Sequence, residues 1–151
     1  MRAHKTLMAI AVAPLLLLAT PASGKSKTMT VGQDVSTDTY TISARRGTAG
    51  VAEKGHIEVR VEARQGYELS PEQGIKVKMK GAPKNLEWGQ AKLSAADGQF
   101  SKDATEFRVR VPFRAERIGD YPVKGRVKFK MCRGDECKRV SRSFDTAVVV
   151  H

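Results

Sequence analysis

The chain has 151 residues, 27 Lys and Arg against 16 Asp and Glu, and a formal net charge of +11. Once an export leader is set aside, that length carries one domain with a real core and excludes two. Two cysteines and, beyond the leader, two separated histidines, His56 and His151, lack the spacing of a zinc site, so no metal and no other cofactor is expected.

Residues 1–23 read as a secretory signal peptide. Arg2, His4 and Lys5 give a basic start, and Leu7 to Ala19 is an apolar run too short to span a bilayer comfortably. The small residues Thr20, Ala22, Ser23 and Gly24 follow, and cleavage after Ala22 or after Gly24 fits the pattern. No cysteine lies nearby to carry a lipid anchor, and no later apolar run is long enough for a transmembrane segment. The mature chain is therefore expected to be soluble and periplasmic or secreted, where a disulfide is the default state of two cysteines. Without Arg2 and Lys5 it keeps 25 basic residues against 16 acidic ones, a net charge of +9 that favours anionic partners.

Residues 24–37 form a polar leader, with Thr28 to Val31 as a short edge strand. Asp38 to Ala44 is β-branched and aromatic and predicts a first strand. Arg45 to Gly55 has three glycines and no period, and reads as a loop. From His56 to Ala63 the alternation is clear, with Ile57, Val59, Val61 and Ala63 inward. Gly66 to Pro71 predicts a turn and an irregular segment. Gly74 to Lys80 is a strand with Ile75, Val77 and Met79 inward, and Gly81-Ala82-Pro83 breaks it. Leu86 to Leu93 predicts a strand bearing the single Trp88, Ser94 to Asp103 a polar loop, and Thr105 to Phe113 another alternating strand. After a connection over Arg114 to Asp120, Tyr121 to Met131 alternates with Lys124, Arg126, Lys128 and Lys130. Gly134-Asp135 then signals a reversal into a returning strand. Ser143 to Val150 closes the chain, its Val148-Val149-Val150 run suggesting burial on both faces.

Seven or eight short strands with turn signals between them and no helical period predict an all-β fold. An immunoglobulin-like antiparallel β-sandwich over residues 38–151 fits better than a small barrel.

Cys132 and Cys137, the only cysteines, flank the expected reversal. Opposed residues of antiparallel strands have Cα atoms about 4.5–5.5 Å apart, which overlaps the range of about 4.4–6.8 Å for a disulfide. So short a loop gives a modest staple, roughly 2 kcal/mol against roughly 4–5 for a long one. A bond at a strand edge is also open to an incoming thiolate. Lys130, Arg133, Lys138 and Arg139 would favour a thiolate there, and Asp135 and Glu136 would oppose it. The residues alone leave a structural staple and a redox-active pair both open.

Gly66-Tyr67 after a strand, followed much later by the alternating strand from Val123 into Cys132 and, after four intervening residues, Cys137, resembles the amino-terminal periplasmic domain of the thiol–disulfide interchange protein DsbD and its DsbC/DsbD-like relatives. The likeness covers most of residues 38–150 in layout and is specific over 121–137. It implies an immunoglobulin-like sandwich whose cysteine pair takes electrons from a thioredoxin-like domain and passes them to periplasmic partners. The mixed disulfides would form on Cys137. Family members often have prolines after the second cysteine, where this chain reads Lys138-Arg139-Val140-Ser141. The sequence also holds neither the membrane domain nor the thioredoxin-like domain of full-length DsbD, so any electron donor is expected to be a separate protein.

A second candidate site is a basic face. Lys76, Lys78 and Lys80, Arg108 and Arg110, and Arg126, Lys128 and Lys130 take outward positions on three strands. If those strands share a sheet, eight cations line one face that could bind anionic glycans or lipid headgroups. The alternative is a solvated face whose charges discourage aggregation. Trp88 and Tyr67 are the only candidate stacking platforms, and nucleic acid is not an expected partner. Arg133-Gly134-Asp135 matches an integrin-ligand tripeptide, but Gly-Asp is also ordinary turn chemistry. No Ser/His/Asp set or paired carboxylate stands out, and His56 reads as an exposed strand residue. The expected activity, if there is one, is thiol–disulfide interchange.

Overall fold

Alternation of apolar and charged residues places the central strands of this molecule. The structure is a computed structural model and describes residues 34–151. The signal peptide expected over 1–23, the short strand expected over Thr28–Val31 and most of the leader expected over 24–37 lie outside the described residues. The strands are β1 (Val35–Ser36), β2 (Tyr40–Arg45), β3 (Gly47–Ala49), β4 (Lys54–Ala63), β5 (Glu68–Leu69), β6 (Lys76–Met79), β7 (Leu86–Trp88), β8 (Lys92–Ser94), β9 (Gly98–Phe100), β10 (Glu106–Ala115), β11 (Gly119–Arg133) and β12 (Glu136–Val150). Among the described residues one short 3-10 turn, Ala95–Asp97, is the sole helical element, and no helix is long and apolar enough to cross a membrane.

Two sheets pack face to face. The first runs β1-β2-β4-β10-β7, with β9 also on β10; the second runs β3-β12-β11-β6-β8, with β5 also on β11. In these sheets β2, β4, β10 and β7 follow the ABED order of an immunoglobulin-type sandwich, and β6, β11 and β12 its CFG order. Val59, Val61, Phe107, Val109 and Val111 of the first sheet meet Val77, Val127, Phe129 and Met131 of the second in one core. Tyr121, at the start of β11, donates its hydroxyl to the Arg117 carbonyl at 2.7 Å, the tyrosine corner of such folds. The antibody-type disulfide between the sheets is not part of this fold: both cysteines lie on one hairpin.

The structure differs from the sequence-based expectation where tertiary pairing overrides local pattern. The loop expected over Arg45–Gly55 contains β3, which pairs in parallel with Val148–Val150 of β12. Its side chains carry no alternating signal, and Gly47 lets it pass close to Phe113 and the His56 carbonyl. The irregular segment after Gly66 includes β5, which extends the second sheet beside Met131 and Cys132. The strand expected over Leu86–Leu93 is two strands in different sheets: β7 lies on β10 and β8 on β6. Gly89, whose N–H bonds the Pro112 carbonyl at 2.8 Å, is where the chain leaves the first sheet. The polar loop expected over Ser94–Asp103 contains β9. The returning hairpin strand and the closing strand at Ser143–Val150 are one element, β12, paired with β11 from Gly119↔Val150 to Arg133↔Glu136.

Inside this ribbon Gly125 lies opposite Phe144, whose ring covers the space a Cβ would take. Replacing Gly125 by Val should therefore overpack the core and cost roughly 1–3 kcal/mol. Denaturant unfolding of Gly125→Val checks this; a compensating Phe144→Leu change in the same chain should recover part of the loss.

Candidate functional site

The tip of the β11–β12 hairpin is built by parity and by one turn. Gly134 sits at φ +57 while Asp135 has no positive φ, so the two-residue loop follows the type II′ pattern that matches strand twist. The turn closes Arg133 against Glu136 and, next along, Cys132 against Cys137. The two cysteines are joined in a disulfide with Cα atoms 4.1 Å apart. Both side chains lie on the outer face of the sheet, because the neighbouring Met131 is buried in the core. Cys132 is half-buried between β12 and β5, whereas Cys137 is exposed. Beyond β11, β12 has no strand neighbour until β3 joins at Val148, so Cys137 stands on an open edge among the described residues.

Parity also sorts the charges expected around the pair. Lys130 and Arg139 oppose each other one step down the outer face and share it with the sulfurs. Arg133 and Lys138 belong to the inner face and are engaged there. Their charged ends lie 4.6 and 5.1 Å from the centre of the Tyr67 ring. Tyr67, 1% exposed, donates its hydroxyl to Glu136 at 2.9 Å. Arg133 also donates to the Gln65 carbonyl at 3.3 Å and to Glu136 at 3.2 Å. The arginine of the Arg-Gly-Asp tripeptide is thus folded back onto the hairpin. Glu68, which nothing in the sequence pointed to, opposes Cys132 from β5 on the outer face. Its carboxylate disfavours a thiolate at Cys132 more than at Cys137, one strand further away. That neighbour is set by the pairing of a two-residue strand with no periodicity of its own.

The basic face divides between the sheets. Arg108 and Arg110 stand on β10 in the first sheet, because β10 pairs with β4 and not with β6 or β11. There Glu58, Glu62 and Glu106 alternate with Arg60, Arg108 and Arg110. Arg60 meets Glu106 at 2.5 Å and Glu62 at 3.4 Å, and Arg108 also pairs with Glu106. Burial raises the Glu106 pKa, but hydrogen bonds and charge from Arg108 and Arg60 outweigh it and leave the carboxyl below its ordinary range. The other six expected cations do share a face. Lys76 and Lys78 of β6, with Lys80 just beyond it, lie beside Arg126, Lys128 and Lys130 of β11. Lys92 of β8, Lys124 of β11 and Arg139 of β12 extend it. Among the described residues none of these nine forms an ion pair. Neither aromatic offers a stacking platform, since Tyr67 is buried and the half-buried Trp88 lies in the other sheet, donating to the Gly81 carbonyl at 2.7 Å. His56 is exposed on β4, and among the described residues no three His, Cys, Asp or Glu side chains converge as a metal site would need.

The clamp under the tip has a pH signature. The Tyr67 hydroxyl first, and then Arg133, holds the Glu136 carboxyl below its ordinary value of 4.5. A lowered folded pKa gives stability that is complete above that ordinary value and is lost as pH falls through the lowered one. Carboxyl-detected NMR titration should show the Glu136 midpoint below 4.5, and Tyr67→Phe should move it upward. An unchanged midpoint in Tyr67→Phe would remove the phenol from the clamp. Set against known proteins, the chain matches no family model and no curated protein sequence.

Proposed function

We propose that this domain is a thiol–disulfide exchange module, of the kind its resemblance to the DsbD amino-terminal domain implies, working through Cys132 and Cys137 outside the cytoplasm. The observation that carries the reading is the exposure of Cys137 on an open strand edge above a clamp that does not depend on the disulfide. Exchange needs a sulfur that an incoming thiolate can reach in line with the S–S bond. Cys137 meets that need better than Cys132, which is flanked by strands on both sides.

In the first step a partner thiolate attacks Sγ of Cys137. The S–S bond breaks, a mixed disulfide forms on Cys137, and Cys132 leaves as a thiolate that takes a proton from water. A second thiolate of the partner then attacks its own sulfur in the mixed disulfide and releases Cys137. The partner departs as a disulfide, and two electrons now reside in the Cys132/Cys137 dithiol. The reverse sequence reduces a partner disulfide. Lys130 and Arg139 stabilise thiolate character on the face where both sulfurs lie.

A bond closing so short a loop contributes at most about 2 kcal/mol through chain entropy. The strand pairing and the Tyr67 clamp hold the two sulfurs together whether or not they are joined, so reduction should leave the hairpin in place. Thermal unfolding of the reduced form should fall within about 10 °C of the oxidised form. The reduction potential should lie well above the roughly −300 mV below which structural disulfides sit. Cys132→Ser, incubated with the disulfide form of a thioredoxin-type protein, should trap a mixed disulfide on Cys137, whose thiolate attacks the partner's S–S bond and releases one partner sulfur as the thiol. An empty trap together with a potential below that limit would reduce the bond to a staple.

A further inference from the structure

We propose that the exchange partner is a protein with an acidic surface around its reactive thiol, and that it docks across the outer face of β6, β11 and β12 so that its thiolate arrives at Cys137. This rests on the exchange reading and adds to it the chemistry of the partner. The disulfide and the unpaired cations are one surface. Along the outer face, Lys130 and Arg139 follow directly after the cysteine pair, and Lys128 and then Arg126 continue the row on β11. Lys76 opposes Lys128 and Lys78 opposes Arg126 across the next strand boundary.

Like charges set directly opposite each other destabilise a sheet. The other sheet of the same molecule interleaves carboxylates with its arginines and pairs Arg60 and Arg108 with them. Repulsion left standing on one face alone is relieved by an external anion. Two open grooves run along this face, of about 630 and 420 Å3, and share Lys76 and Lys128. The second reaches Lys130 and Arg139, beside the disulfide.

The character of the face narrows the occupant. Most of its cations are lysines, point charges that read charge density without demanding the two-pronged geometry an arginine gives a phosphate. Val51 and Ile118 are the exposed large hydrophobics among the described residues, and neither belongs to these strands, so the face has no side chain to insert among lipid chains. It has no exposed aromatic on which a base could stack. Glu68, on the Cys132 side, turns an acidic partner toward the β12 edge and hence toward Cys137.

The test uses two synthetic peptides, one with a single cysteine among six glutamates and one with the same cysteine among six glutamines. Each is reacted with the oxidised domain, and formation of the mixed disulfide is timed at low and high salt. The glutamate peptide should react at least about tenfold faster at low salt and lose that advantage at high salt, as electrostatic steering does. Lys76→Glu with Lys78→Glu, on β6 and away from the cysteine pair, should abolish the advantage of the glutamate peptide over the glutamine peptide. The milder Lys76→Gln with Lys78→Gln should remove part of it. Equal rates for the two peptides in the native domain would overturn the acidic-partner proposal and leave exchange intact. If those equal rates accompany salt-dependent retention on heparin or on anionic vesicles, the face belongs to a glycan or lipid headgroup. Failure of both peptides to react would overturn exchange itself, and the docking proposal with it.

Discussion

The β11–β12 ribbon constrains everything else in this molecule. Fifteen residues of each strand pair in register, from Gly119 with Val150 to Arg133 with Glu136. A slip of one residue would turn every side chain to the opposite face. Val123, Val127, Phe129 and Met131 must face the core, so the register has no freedom to slip. Once it is set, Lys124, Arg126, Lys128, Lys130 and Cys132 are bound to one outer row, because they differ from each other by even numbers. The coexistence of a disulfide and a cationic surface on one face therefore follows from the period of the strand and the position of its apolar residues.

That same rule explains how much could be read from the sequence. The two sheets' central strands, β4, β6, β10 and β11, announce themselves by alternation, and the Cys132–Cys137 bond follows from a Gly-Asp reversal between closely spaced cysteines. What stayed hidden was chosen by partners distant in sequence. β3 and β5 are strands because Val148–Val150 and Met131–Cys132 offer them unpaired edges. Their own residues, Gly47-Thr48-Ala49 and Glu68-Leu69, are too few to show a period. The sheet assignment of β10 was equally invisible: Arg108 and Arg110 alternate just as Lys76 and Lys78 do, and the pattern says which way a side chain points but not which sheet it points from. Tyr67 is a third case. A tyrosine after a turn gives no sign that it will be buried beneath a hairpin more than sixty residues later, yet its ring organises Arg133, Lys138 and Glu136.

The clamp and the cystine divide the work of holding the tip. Beneath the sheet, a buried ring with two cations at its face and a carboxylate at its hydroxyl fixes the turn from inside. Above the sheet, the sulfurs close a loop already closed by strand pairing and the II′ turn. A covalent bond laid over a geometry that other interactions already enforce adds little to stability, since the unfolded chain loses little freedom by it. If the bond were opened, the strand pairing and the clamp would keep the two thiols opposed.

The distribution of carboxylates sharpens the same point. A domain that needed charge only for solubility or against edge pairing would gain from mixing signs on both faces, as the first sheet does around Glu106. On the second sheet the acidic residues stand at the margins. Asp145 opposes Lys124 far from the cystine, Asp97 is held by Ser94 beyond β8, and Glu68 lies on the Cys132 side of the pair. The interior of that face, from Lys76 across to Arg139, is left to cations that repel one another. Fold stability gains nothing from that arrangement, whereas an anion laid on the face would meet all of those charges at once.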